Sequence, residues 1–361
     1  EEARRSFRWR PAGNTMHAAV VLALFSTLGS GVDTNVALTA SFLDPSQFEQ
    51  YLNTTWKFVP DTPLPPKDVL ESVRAVLETS IELTNLTANA QLYQYTFTGY
   101  DEDDLKRIPG HFTVANVHQS EVPISEYVLA GVLDFTVGIR AVDAAFRNCT
   151  WKDRPPGNNC QAPPQHRQLS NLTIGIVGYG HIGEHVASRA AAFGTRVIAT
   201  TIDPPSSPPP PLAWIGDDSQ NPRLMAESDF VVVACPLTSS TKDLINDTLI
   251  SLMKPDGVLI NIARGPIVSE AALYQALASG SIGGAVLDVW WNPHAWNQQG
   301  AYGPASWPSQ YRFDQLPNVL MTPHSSSHTP ESRQQAALQA SENLNALALG
   351  LPLQNVVRGP Q

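Results

Sequence analysis

The most constraining feature of this chain is a regular alternation between Ser170 and His324. Short, almost wholly apolar runs (TIGIVG, RVIATT, DFVVVACPL, GVLINIA, GAVLDVW, NVLMTP) are separated by stretches of helical period, including HIGEHVASRAAAFG and SEAALYQALASG. Parallel strands need a crossover between them, usually a helix, so strand–helix alternation points to a parallel sheet. The runs are apolar at consecutive positions, which means that both sheet faces are covered. The expected class is α/β with a doubly wound parallel sheet.

With 361 residues the chain is long enough for two domains. Residues 41–124 are less regular and contain prolines. Val122 to Arg147 and Glu331 to Gly350 carry long helical patterns on either side of the alternating block. Two tandem domains would fit this layout, but a smaller domain built from both chain ends is the favoured reading. Its boundaries are 41–124 plus 325–361, with 125–324 forming the larger domain. The run PPSSPPPPLAW (Pro204 to Trp214) reads as an extended surface loop, because proline excludes both helix and central strand there.

The net charge is −10 and no basic face is apparent, which argues against nucleic acid as a partner. Arg4, Arg5, Arg8 and Arg10 precede the apolar run His17 to Leu28 and then small residues. That order is a secretory signal peptide, with residues 1–40 as the extension, or else AVVLALF is the first strand and the chain is cytoplasmic. The run is too short for an ordinary membrane-spanning helix. Five N-x-S/T sequons, at Asn53, Asn85, Asn148, Asn171 and Asn246, and a loop that a Cys149–Cys160 disulfide could clip point toward the secretory route.

The segment GIVGYGHIG places Gly178, Gly180 and Gly183 directly after an apolar strand and before a helical pattern. The first glycine allows the tight turn, the second lets backbone approach a diphosphate, and the third lets helix and strand pack closely. The N–H groups at the helix start, around His181 and Ile182, then face the phosphates. A dinucleotide is the cofactor this arrangement predicts. At the end of the next strand stand Thr201 and Asp203, with no following Arg or Lys to meet a 2′-phosphate. NAD and NADP both stay open, with Asp203 leaning toward NAD.

Taken in order, GIVGYGHIG, ACPLT (Ala234 to Thr238), NIARGPIV (Asn261 to Val268), LDVW (Leu287 to Trp290) and MTPH (Met321 to His324) resemble the D-isomer-specific 2-hydroxyacid dehydrogenases. The likeness runs from about Leu92 to Val357. It implies a Rossmann-type cofactor domain, a smaller flavodoxin-like α/β substrate domain and pairing as a homodimer. It also implies hydride transfer between NAD or NADP and a 2-oxo or D-2-hydroxy acid. By the same resemblance Arg264 binds and polarises the substrate, while His324 is the general acid/base. Thr98, Gly99 and Tyr100 belong to a substrate loop. Asp288 contacts the nicotinamide carboxamide, and Asn261 and Ala263 line its pocket beside Cys235 and Pro236. Cys235, within an apolar strand, also reads as a simple buried thiol. No metal is implied.

The residue types suit the chemistry. Guanidinium offers a fixed fork of donors to a carboxylate, and imidazole moves protons near neutral pH. Relatives of this type carry a glutamate that pairs with the histidine, whereas here LDVWWNP offers only the amide Asn292. An amide orients imidazole without holding its proton, so a lowered histidine pKa is expected. Trp291, with Trp290 and Trp296, either walls the cleft against a bulky substituent or packs under the following loop. A cofactor-binding protein without turnover, serving regulation or interaction, is the alternative reading.

Overall fold

The computed structural model describes residues 35–100, 102–150, 165–292 and 308–360. Two sheets organise them. The larger has strand order β12-β11-β10-β9-β6-β7-β8. Its strands are β6 (Thr173–Val177), β7 (Arg196–Thr200), β8 (Trp214–Gly216), β9 (Phe230–Val233), β10 (Val258–Asn261), β11 (Gly284–Leu287) and β12 (Val319–Met321). All its pairings are parallel. The chain winds outward from β6 through β7 to β8, then returns to β9 on the other side of β6. Ligands bind at such a reversal, beyond the carboxyl ends of the strands.

Consecutive apolar residues fill both faces of this sheet. On one side Ile124, Val128 and Val132 of the interdomain helix Glu121–Thr136 pack with Val186, Ala187 and Ala190 of the glycine-loop helix His181–Ala192. On the other, Leu224, Met225, Leu273 and Leu277 close the core.

The smaller sheet has order β13-β5-β4-β3-β1-β2. It comprises β1 (Asn35–Thr39), β2 (Trp56–Pro60), β3 (Val73–Leu77), β4 (Leu92–Gln94), β5 (Thr113–Ala115) and β13 (Val356–Arg358). Only β13, from the far end of the chain, runs antiparallel. The C-terminal helix Pro330–Leu349 lays Ala336, Ala337, Ala340 and Leu344 on Ala37, Ala75 and Leu77. Thr329 caps its start by accepting from Ser332 N, and Gly350 ends it at φ 68.

Two sequence expectations need amendment. Residues 35–39 had fallen within the extension, yet NVALT is a fully buried strand of the smaller sheet, so that domain begins before residue 41. Its apolar stretch is only three residues, Val36 to Leu38 between Asn35 and Thr39, too short to stand out in a search for long apolar runs. The long helical pattern from Val122 to Arg147 is two helices, because Gly138 takes φ 59 and ends the first before Ile139–Arg147 begins. Cys149 is disulfide-bonded, while Cys160, Trp296 and the signal-peptide segment lie outside the described residues. No helix among the described residues is long and apolar enough to cross a membrane.

Candidate active site

Between the two sheets lies a cleft of about 790 Å³. Its floor is the glycine loop. Gly178 takes φ 99, and a side chain there would drive into the Cys235 backbone at the end of β9. At Gly183 a Cβ would lie 2.8 Å from the Gly178 carbonyl, whereas at Gly180 it would meet nothing within 4 Å. The first and third glycines therefore let chain segments touch, and the second leaves room for a ligand. The helix that follows has no side-chain N-cap, so its first N–H groups are left to face the cleft beside His181 and Ile182. These residues fit a dinucleotide diphosphate.

Arg264 leaves the end of β10 on a turn built by Asn261. That fully buried side chain donates to the Arg264 carbonyl (2.9 Å) and accepts from Ala263 N (3.1 Å). Asn261 thus shapes the arginine turn, and Ala263 rather than Asn261 lines the cleft. The guanidinium donates to the Ala263 carbonyl at 2.9 Å and lies against Gly99, where a Cβ would sit 2.5 Å from its Nη2. Gly99 belongs to the loop after β4, and Thr98 and Tyr100 line the cleft with it. Asn116 donates to the Thr98 carbonyl at 2.6 Å, and Gln119 accepts from the Thr98 hydroxyl at 3.1 Å. Sequence reading missed both holders, since an isolated amide has no motif.

His324 enters from beyond β12, in the left-handed region at φ 55. Asp288, fully buried at the end of β11, organises its turn. One carboxylate oxygen accepts from Thr322 Oγ1 (2.6 Å) and Ser325 N (2.8 Å), and the other from Ser326 N (3.0 Å). Tyr127 of the interdomain helix meets Thr322 Oγ1 at 2.6 Å. Asp288 is therefore engaged inside the protein and does not line the cleft. Withdrawal from water holds the His324 pKa below its ordinary value. Arg264 and His328 push it the same way, and Asp288 opposes them.

Asn292 does not reach His324. It is exposed, its backbone N–H donates to the Pro308 carbonyl at 2.9 Å, and no hydrogen bond joins the two side chains. Trp291 also lies outside the cleft lining: it stacks on Phe313 (5.4 Å, 10°) and donates to the Val268 carbonyl at 2.7 Å. Trp290 is the one that lines the cleft, held by its bond to the Thr322 carbonyl at 3.0 Å. Cys235 and Pro236 line it as well. Burial pushes the Cys235 thiol up to about 12, leaving it inert. Thr201 and Asp203 stand past the tip of β7, Asp203 exposed, beyond the residues that line the cleft. No group of three or more His, Cys, Asp or Glu among the described residues could hold a metal.

A doubly wound sheet with a glycine cradle, facing a second domain across a cleft with arginine and histidine, defines a two-domain dinucleotide-binding protein. The family model for the D-isomer specific 2-hydroxyacid dehydrogenase NAD binding domain matches residues 129–326. Glyoxylate reductase from Thermococcus litoralis is 31% identical over 313 residues, covering 82% of this chain and 87% of that protein. The chain belongs to this family. Human glyoxylate reductase/hydroxypyruvate reductase is 37% identical over 185 residues, 51% of this chain; the match spans about half of that relative's length (52%). The 2-hydroxyacid dehydrogenase of Ketogulonicigenium vulgare Y25 superposes with a TM-score of 0.72 at 25% identity, covering 91% of this chain and 100% of that one.

Proposed function

We propose that this protein is an NAD(P)-dependent reductase of small 2-oxo acids, interconverting them with D-2-hydroxy acids. The observation that carries this reading is the meeting of Arg264 and His324, brought from different strand ends into one cleft above a glycine cradle. The names of the human and Thermococcus relatives support glyoxylate or hydroxypyruvate as the substrate type.

Arg264, fixed against Gly99, offers its fork to the substrate carboxylate and keto oxygen, withdrawing electrons from the carbon under attack. Backbone N–H groups of the Thr98–Tyr100 loop face the same carboxylate. His324 gives its proton to the keto oxygen as the carbonyl is reduced, and takes it back in the reverse direction. When bound, the nicotinamide supplies the hydride. Trp290 and Val289 exclude water along one wall. A binding protein without turnover is not favoured, because both reacting side chains line the cleft.

Two features support NAD over NADP. Residues 197–222 contain no Arg or Lys, and the flanking Arg196 and Arg223 are tied to Glu227 at 2.8 and 2.7 Å. Homodimer pairing through the cofactor domain is supported by Ile139 (73% exposed) on the helix after the interdomain helix. A secretory route is supported by exposure of all five sequon asparagines; glycan mass spectrometry of the native protein tests it.

The function is tested by following NADH and NADPH oxidation with glyoxylate, hydroxypyruvate and bulkier 2-oxo acids. Turnover that Arg264→Ala and His324→Ala abolish while cofactor binding persists is the expected outcome. Cofactor binding without reduction of any acid would overturn the reading.

A further inference from the structure

The chain crosses from the smaller domain to the larger between β5 and the interdomain helix, and His118 sits at this crossing. Its backbone is clamped on both sides by one side chain of the C-terminal helix. Gln339 accepts from His118 N at 2.8 Å and donates to its carbonyl at 2.7 Å. The imidazole is thereby aimed across the cleft mouth at His181 of the glycine loop, with ring centroids 4.4 Å apart. Both rings line the cleft next to Gly180 and Ile182.

Glu121 stands behind the pair. It is 8% exposed, and its Oε1 lies 3.3 Å from His118 Nδ1 without hydrogen-bond alignment, so both atoms are buried without a hydrogen bond. Since Nδ1 is buried while 29% of the side chain is exposed, the open part of the ring is the part turned away from Glu121. Burial opposes ionisation of Glu121, yet the approach of His118, the residue's own backbone N–H and, last, His181 together outweigh it and hold the carboxyl below its ordinary range.

A dinucleotide diphosphate brings two negative charges to the glycine cradle. Among the described residues that line the cleft Arg264 is the only arginine or lysine, and it lies against the substrate loop at Gly99. The side chains at the cradle able to take up a positive charge are the two imidazoles. We propose that His118 is a ligand for the cofactor diphosphate, contributed from the hinge, and that it acts with His181 as a pair that gains a proton when the dinucleotide binds. This inference rests on the cofactor reading above. Glu121 from the interdomain helix and His181 from the glycine-loop helix are the titratable groups facing His118, and the C-terminal helix presents the neutral Gln339. One carboxylate balances one proton on the pair. The arriving diphosphate stabilises a second, which would otherwise repel the first across 4.4 Å.

The test is calorimetric titration of the full chain with NADH in two buffers of different ionisation enthalpy, from about pH 6 to about pH 8.5. Net proton uptake is expected, with Kd rising up to about tenfold per pH unit on the alkaline side. His118→Asn should weaken binding near pH 6 and match wild type near pH 8.5, with the uptake diminished. Glu121→Gln, which leaves both imidazoles in place, should move the rise in Kd to lower pH. Weakening of His118→Asn by the same factor at every pH would mean a purely structural role and overturn the proposal. So would wild-type binding with no proton uptake. If wild type bound no nicotinamide dinucleotide at any pH, the cofactor reading itself would fall.

Discussion

Asp288→Asn is the substitution that separates positioning from bulk stability most cleanly. Asp288 is fully buried, and its two oxygens hold three donors of the turn that carries His324. The amide keeps one acceptor oxygen, enough for Thr322 Oγ1 and Ser325 N, but sets an NH2 against Ser326 N. One buried N–H is orphaned, at a cost of about 1–3 kcal/mol. His324 is held in the left-handed region by this turn, so the loss falls on its placement. About 2 kcal/mol lost at the transition state is roughly 30-fold in kcat. The carboxylate is also the group that opposes the lowering of the His324 pKa. Reduction needs the protonated imidazole, so activity is full below the folded pKa and is lost as pH rises through it. Removing the carboxylate lowers that pKa further, and the alkaline limb moves to lower pH. The assay is NADH oxidation by glyoxylate across about pH 5–9, with NADH affinity measured alongside. A variant with kcat within twofold of wild type and an unmoved limb would refute the reasoning.

Other substitutions read other parts of the site. Gly99→Ala brings a Cβ within 2.5 Å of the Arg264 guanidinium, so KM for the oxo acid should rise about tenfold or more while NADH affinity holds. Asn292→Glu should leave the pH–rate limb in place, since Asn292 is exposed and makes no bond to His324; a limb displaced upward would show that the two side chains meet. Arg223 holds the Glu227 carboxyl down to about 2, against some burial and with help from Arg196 and Trp214. Its folded pKa is depressed, so the stability it contributes is present above about pH 4.5 and lost as pH falls toward about 2. Glu227→Gln should flatten that part of the acid unfolding curve.

Six of the seven strands of the larger sheet were legible because each is a mostly apolar run and the glycines fall where strand turns into helix; the edge strand β8 was missed, since its three residues begin at Trp214, the last residue of the run read as a proline loop. The left-handed turn at His324 and the order in which the strands pair come from contacts far apart in sequence, which periodicity does not carry. Arg264 and His324 could be named because their motifs are local. Asp288 was picked out, but its work is different, since sequence cannot tell a carboxylate facing a ligand from one satisfied by three protein donors. Asn292 drew attention by its place in the chain, and geometry takes it out of reach. His118 carried no motif. Its meaning comes from His181, which lies more than sixty residues later in the sequence.

In the proposed function, hydride reaches the carbonyl carbon of a 2-oxo acid held between Arg264 and His324. Incubation with NADH deuterated at C4 and hydroxypyruvate tests this most directly, by mass and chirality of the glycerate formed. Glycerate of D configuration with one deuterium on C2, absent in the His324→Ala reaction, is the expected result. Product of L configuration, or C2 hydrogen drawn from solvent, would contradict it.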